Sequence, residues 1–151
     1  MANSTIDPLQ WDYDLSELLG KAWFFYEAQR SGKLPSDNKV PWRGDSYLQD
    51  GSEALPTALD LEGGWYDAGD TLKLSFPLCA SVWRLATSLL TYKDAHVGTQ
   101  FLNQANYLNA MRQVKWITKY LVKLHPAPLV FVVQVRVLAA AMRWTDPCAL
   151  L

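Results

Sequence analysis

Apolar positions recur at helical spacing in three stretches of the chain and lose that spacing in a long stretch between the first two. Leu15, Leu18, Leu19, Ala22, Phe25 and Tyr26 fall on one face of a 3.6-residue period. Asp14 followed by Glu17 has the form of a capping box, and Gly32 suits the position just past a helix end. The spacing therefore predicts a first helix between those signals. A second is expected to start near Pro77, a favoured first-turn residue, with Leu78, Val82, Leu85 and Leu89 as its stripe. A third is expected over roughly Asn106 to Leu124, with Met111, Val114, Ile117, Leu121 and Leu124 on one face and Pro126 as its stop. After Pro128, LVFVVQVRV (Leu129 to Val137) is β-branched and reads as a strand, and AAAMRW reads as a short helical piece.

Lys33 to Phe76 follows neither period. It holds Pro35, Pro41 and Pro56 together with Gly44, Gly51, Gly63, Gly64 and Gly69. A segment this long without helix or strand, inside a domain-sized chain, is either functional or disordered. Trp42, Tyr47, Trp65 and Tyr66 are residue types that disordered segments lack. The expectation is an ordered loop that holds a site.

Composition narrows the classes of function. The chain has 151 residues, the size of one ordinary domain, and half of it is hydrophobic. Net charge is −1 with the signs interspersed, so no basic stripe favours nucleic acid. No apolar run is long enough for a membrane span, and the polar start MANSTIDPLQWDYD does not read as a signal peptide. The two cysteines, Cys79 and Cys148, have neither disulfide-framework nor metal-ligand spacing. The compartment is left open. Seven Trp, seven Tyr and five Phe suit both a core and faces that stack on sugars or bases.

Within the loop, GGWYDAGD (Gly63 to Asp70) places Asp67 and Asp70 three residues apart beside Trp65 and Tyr66. Asp is common in turns because its carboxylate bonds nearby backbone, and Asp70 could cap a helix. With Asp60 and Glu62 close by, a cation site is an alternative. A third reading is glycoside hydrolysis, in which one carboxylate activates water and a separate carboxylic acid protonates the leaving oxygen.

Several segments then carry a resemblance. FFYEAQRSGKLP (Phe24 to Pro35), WRGDS (Trp42 to Ser46), Asp50-Gly51, DLEGGWYDAGDTLKLSFPL (Asp60 to Leu78) and KWITKYLVKLHP (Lys115 to Pro126) occur in the order and at the spacing of the N-terminal part of a glycoside hydrolase family 9 catalytic domain. The chain resembles that family of endoglucanases (cellulases) over roughly Tyr13 to Gln134. The resemblance implies an all-α fold, part of an alpha/alpha six-fold barrel of the six-hairpin glycosidase type, made of N-terminal helices plus a long ordered active-site loop. It divides the chain into an N-terminal extension at 1–13, the catalytic-domain portion at 14–134 and a divergent tail at 135–151.

The resemblance also implies roles. Asp70 becomes the general base and Asp67 the residue that holds the attacking water, in cleavage of β-1,4-glucans with inversion. Trp65, Tyr66 and Trp144 become candidates for contact with sugar. Arg43 and Asp45 are expected to brace the loop, Trp42 to pack, His125 to mark a helix end, and Lys73 to meet either aspartate or lie in solvent. No cofactor and no metal is implied, because the calcium ligands of some members lie beyond these segments. The partner is a β-1,4-glucan polysaccharide.

The chain departs from the family in three places. The general acid of the family is a glutamate near the far C-terminal end of a longer domain, and Glu17, Glu27, Glu53 and Glu62 do not match its motif. After Gln134-Val135, the tail lacks the acidic turn and Asp-His pair that follow in the family, and reads as an out-of-frame or alternatively spliced end. Lys119 stands where members usually carry aspartate. The expectation is a fragment of an endo-β-1,4-glucanase, with helix faces left exposed and apolar. A non-catalytic glucan-binding remnant, using Trp42, Trp65 and Tyr66, is the alternative. Cys148-Ala149-Leu150-Leu151 fits a prenylation pattern, which would make a lipid-anchored module. Four loosely defined positions match by chance, and no polybasic run precedes them.

Overall fold

A computed structural model describes residues 15–54, 57–67, 71–92 and 104–135. The described residues form three helices, α1 (Leu15–Ala28), α2 (Ser75–Thr91) and α3 (Gln104–Lys123), and two short strands, β1 (Lys73–Leu74) and β2 (Gln134–Val135). α3 is the central element and packs against both α1 and α2. β1 and β2 pair antiparallel, Lys73 opposite Val135 and Leu74 opposite Gln134.

The core lies where these elements meet the loop. Leu61 and Trp65 from the loop, Leu78 and Val82 from α2, Ile117 and Tyr120 from α3, with Leu124, Val132 and Val135, form one buried cluster. Trp23, Leu89 and Ala110 form a second, bridged to the first by Tyr26 and Leu85. Ile117 and Leu124 are fully buried, and burying such a side chain contributes roughly 1.5–3 kcal/mol.

α2 follows its expected stripe: Leu78, Val82 and Leu89 are buried. It begins at Ser75, two residues ahead of the proline signal, and no side chain caps it. The strand-forming segment does that work instead. The Ser75 N–H donates to Val133 O at 2.9 Å, and its hydroxyl donates to Val132 O at 2.6 Å. An orphan donor of the first turn is thus satisfied by chain from 58 positions away.

The other two helices turn different faces inward from those expected. In α1, Leu18, Ala22 and Phe25 are exposed while Trp23 and Glu27 are buried. α1 is apolar on more than one side, and the larger Trp23 takes the place against α3. In α3, Met111 is exposed, Val114 and Leu121 are half-buried, and the buried face runs through Asn109, Ala110, Gln113, Ile117 and Tyr120. Two polar residues lie on that face because they serve Arg30. The buried Arg30 guanidinium donates from Nε to Gln113 Oε1 at 3.2 Å, pairs with Glu27 at 3.7 Å and lies over the Trp116 ring at 4.9 Å. Burial pulls its pKa down, and Glu27 opposes that shift.

The strand expected over Leu129 to Val137 shortens to Gln134–Val135. Upstream of it, Ala127 and Val130 form an isolated bridge around a turn in which Leu129 adopts φ +63. A β-branched run makes a strand only where a partner edge exists, and β1 offers two residues. The AAAMRW segment, Asp14 and the Cys148 end lie outside the described residues.

Candidate active site

The loop between α1 and α2 is ordered by backbone pairing with the end of α1. Ser31 N–H donates to Gly64 O at 3.0 Å and Tyr66 N–H to Gln29 O at 2.9 Å, with Arg30 and Trp65 as bridge partners. Gly32 and Ser46 exchange N–H bonds at 2.8 and 3.2 Å, which lays the 42–47 segment on the other side of the same stretch. Gly64 sits at φ +85, and a Cβ there would lie 2.8 Å from the Tyr120 ring, so this position needs glycine on both counts. The Trp116 indole N–H also donates to Gly64 O, at 3.1 Å.

These contacts deliver Asp67 to solvent at the edge of a cavity of about 170 Å³. At roughly 30 Å³ per molecule, that is room for a handful of waters. Phe25, Tyr26 and Gln29 of α1 and Pro77, Leu78 and Ser81 of α2 face Trp65, Tyr66 and Asp67 across it. The wall is aromatic, and among the described residues the carboxylate of the lining is that of Asp67. Trp65 is 3% exposed and packs its ring on Tyr26, centroids 4.8 Å apart, so it forms the wall rather than a free platform. Tyr66 is half-buried, its hydroxyl 2.7 Å from Ser46 Oγ and its ring under the Arg43 guanidinium at 5.3 Å.

Asp67 N–H donates to Leu72 O at 2.8 Å, tying the two ends of the segment between them. Asp70 belongs to that segment and lies outside the described residues, as does Trp144. The segment re-enters at Thr71, whose φ is +58. Its hydroxyl is 3.1 Å from that of Tyr47, a residue itself at φ +50. Two non-glycine residues in the left-handed region face each other beside the aspartate segment, and a β-branched one is uncommon there.

The bracing expected of WRGDS is present. Arg43 Nη2 donates to Arg30 O at 2.8 Å, and Asp45 Oδ1 accepts the Leu34 N–H at 2.8 Å. Trp42 departs from expectation: it touches Phe24 edge-on, centroids 5.9 Å apart, and otherwise lies in solvent. His125 lies just past α3 and is exposed.

Lys73 departs further. It is buried rather than solvated, and its partners among the described residues do not include Asp67. Its ammonium pairs with Asp50 at 2.5 Å and donates to Leu61 O and Gly63 O, each at 2.9 Å. The Tyr120 ring lies 4.8 Å away. Burial lowers the Lys73 pKa against the opposing pull of Asp50, and burial raises that of Tyr120. Asp60 and Glu62, the residues that could have extended a cation site, are engaged in the loop. Asp60 accepts from Lys123 at 2.8 Å and from Glu62 N–H at 3.1 Å, while Glu62 Oε1 accepts the Lys33 N–H at 2.8 Å. Among the described residues no cluster of three or more His, Cys, Asp or Glu is placed to hold a metal.

Sequence patterning places Phe25 on the apolar stripe of the first helix rather than at a cavity, and does not single out Gln29 or Ser81. Gln29 and Ser81 carried no signal, since their placement depends on how α1 and α2 approach.

Comparison with known proteins follows the same outline. A family model, glycosyl hydrolase family 9, matches residues 15–147. Endoglucanase 4 of Bacillus sp. (strain KSM-522) is 42% identical over 136 residues, which are 90% of this chain and 20% of that protein. The solved endoglucanase of the termite Nasutitermes takasagoensis superimposes with a TM-score of 0.72 at 37% identity, over 82% of this chain and 27% of that one. The cellulase Cel9M of C. cellulolyticum, solved in complex with cellobiose, gives 0.71 at 32% identity, over 81% and 27%. The chain spans about a fifth of the length of the curated relatives it matches.

Proposed function

The chain belongs to glycosyl hydrolase family 9, and its helices are part of the alpha/alpha barrel of such endoglucanases; from that premise we propose that it supplies the water-activating half of an endo-β-1,4-glucanase site. The substrate is a cellulose-type β-glucan, cleaved with inversion. Asp70 is the base and Asp67 holds the water it activates. The observation that carries this reading is the placement of Asp67, a solvent-facing carboxylate at the edge of an aromatic-walled cavity.

The chemistry asks for two separated carboxyls. In an inverting reaction the base takes a proton from water on one face of the sugar while an acid protonates the leaving oxygen on the other, with roughly 6.5–9.5 Å between them. The acid is not among the glutamates placed here. Glu27 is buried against Arg30 and accepts the Lys39 N–H at 3.0 Å, Glu62 is committed to Lys33, and Glu17 pairs with Lys21 at 2.7 Å. It comes instead from the larger part of the domain, which the relatives possess and these residues do not span. Tyr66 and Trp65 shape the wall along which the glucan lies.

Reducing-sugar release from carboxymethylcellulose by the protein that carries this chain tests the reading. Asp70→Asn is expected to lower kcat about 10²–10⁴-fold, the usual worth of one acid–base group. Turnover that Asp70→Asn leaves intact would remove the assignment. Retention on insoluble cellulose without turnover would instead favour the binding remnant.

A further inference from the structure

We infer that Lys73 is a positioning residue for the aspartate-bearing segment, a buried clasp that fixes Gly63 to Lys73 as a closed loop. The inference rests on the glucanase reading for its kinetic consequence and on geometry alone for its structural one.

The Lys73 ammonium donates to Leu61 O and Gly63 O, each at 2.9 Å, and forms an ion pair with the Asp50 carboxylate at 2.5 Å. The side chain is 2% exposed, so these groups rather than solvent surround its charge. The two carbonyls stand four and two residues upstream of Trp65, whereas Lys73 itself stands three residues downstream of Asp70. One side chain therefore joins the entrance and exit of the segment that carries both aspartates. The Asp67 N–H to Leu72 O bond closes a smaller ring inside it. β1 holds the lysine backbone through Val135, and Tyr120 of α3 covers its ammonium from the side at 4.8 Å. Asp50 arrives from the far part of the loop, anchored by its O to Leu61 N–H at 3.0 Å. Its charge lets the cation stay buried.

A clasp and a general core contact make different demands. If Lys73 only stabilised the domain, weakening it would loosen helices and loop alike. As a clasp it governs the loop, and once Asp50→Asn removes the stranded charge the helices keep their protection. For the reaction, a base displaced by about 1 Å loses turnover more than affinity, since the water it aligns reacts only when positioned.

The test compares the wild-type protein that carries this chain with its Lys73→Met and Lys73→Met/Asp50→Asn variants, the second leaving no unpaired charge behind. Amide hydrogen exchange is followed at Tyr66 and Asp67, with Val82 and Ile117 as helix references, alongside kcat and KM on carboxymethylcellulose. In the double variant, Tyr66 and Asp67 are expected to exchange at least tenfold faster while Val82 and Ile117 keep wild-type protection. kcat is expected to fall at least tenfold with KM within about twofold. Unchanged exchange at Asp67, or equal acceleration in the helices, overturns the clasp. A fall confined to KM overturns the positioning role. If the wild-type protein that carries this chain turns over no glucan, it is the glucanase reading that fails, and the exchange measurement decides the clasp by itself.

Discussion

Two lysines grip neighbouring carbonyls of one short segment, from opposite sides and under opposite conditions. Lys73 reaches Leu61 O and Gly63 O from within the core. Lys123, at the end of α3, reaches Glu62 O at 2.8 Å from the surface. Each also pairs with an aspartate, Lys73 with Asp50 at 2.5 Å and Lys123 with Asp60 at 2.8 Å. The bond lists are nearly the same, but the side chains are 2% and 5% exposed in the first pair and 32% and 69% in the second. Water competes for every partner of Lys123 and for none of Lys73. Near-identical geometry therefore gives a contact whose loss is severe and one whose loss is slight. Distance alone does not rank ion pairs; what remains when one partner is removed does.

The comparison breaks most visibly at the buried pair. Lys73→Met is expected to destabilise the fold by about 3–5 kcal/mol, because it strands Asp50 as an uncompensated buried charge. Urea unfolding measures it, and Asp50→Asn added to the same chain should recover part of the loss. An equal loss in both variants would show that the carbonyl bonds, rather than the orphaned charge, dominate.

Next in size is the glycine that lets the gripped segment pass α3. Gly64→Ala puts a Cβ 2.8 Å from the Tyr120 ring at φ +85, and a cost of roughly 1–3 kcal/mol is expected in thermal unfolding. Tyr120→Leu in the same chain should relieve some of it.

The surface pair sets the small end. Lys123→Met is expected to cost less than about 1 kcal/mol, and less still at about 1 M salt, where charges are screened within roughly 3 Å. Its hydrogen bond holds the Asp60 pKa below the ordinary 3.8. A depressed carboxylate contributes stability above its unfolded pKa and loses it as pH falls through the folded value. The difference between wild type and Lys123→Met should thus be present near neutrality and vanish in strong acid. A difference that persists there would mean Lys123 acts through its stem and the Glu62 carbonyl alone.

Much of this arrangement is legible in sequence, and the rest is hidden for identifiable reasons. α2 is legible because its stripe of Leu78, Val82 and Leu89 is the one buried, while a second apolar row of Phe76, Trp83 and Leu90 stays exposed. α1 misleads because Leu18, Ala22 and Phe25 compete with Trp23, and only the approach of α3 chooses between them. The inward Gln113 and Asn109 break no local rule of helix formation, yet nothing near them in sequence announces the arginine they serve. Lys73 reads as a solvated residue in a threonine-leucine context, since its partner Asp50 lies 23 positions away with no period linking them. The loop is legible as ordered from its aromatics, and its aspartates are legible as chemistry only through the resemblance of the segments around them. Spacing alone left turns and cations as equal readings.

Tyr47 and Thr71 give the loop a mechanical property. Each non-glycine residue held at positive φ stores of the order of 1–3 kcal/mol relative to its relaxed backbone, and here two of them are joined by one hydroxyl contact of 3.1 Å. The segment leaving Asp67 re-enters the fold under preload, like a spring seated between the 42–47 segment and the start of α2. The tension is supplied by residues that line no part of the cavity. Stiffness of the turn that follows Asp67 is thus adjustable from behind, by relaxing either seat to glycine, without altering any described group that lines the cavity.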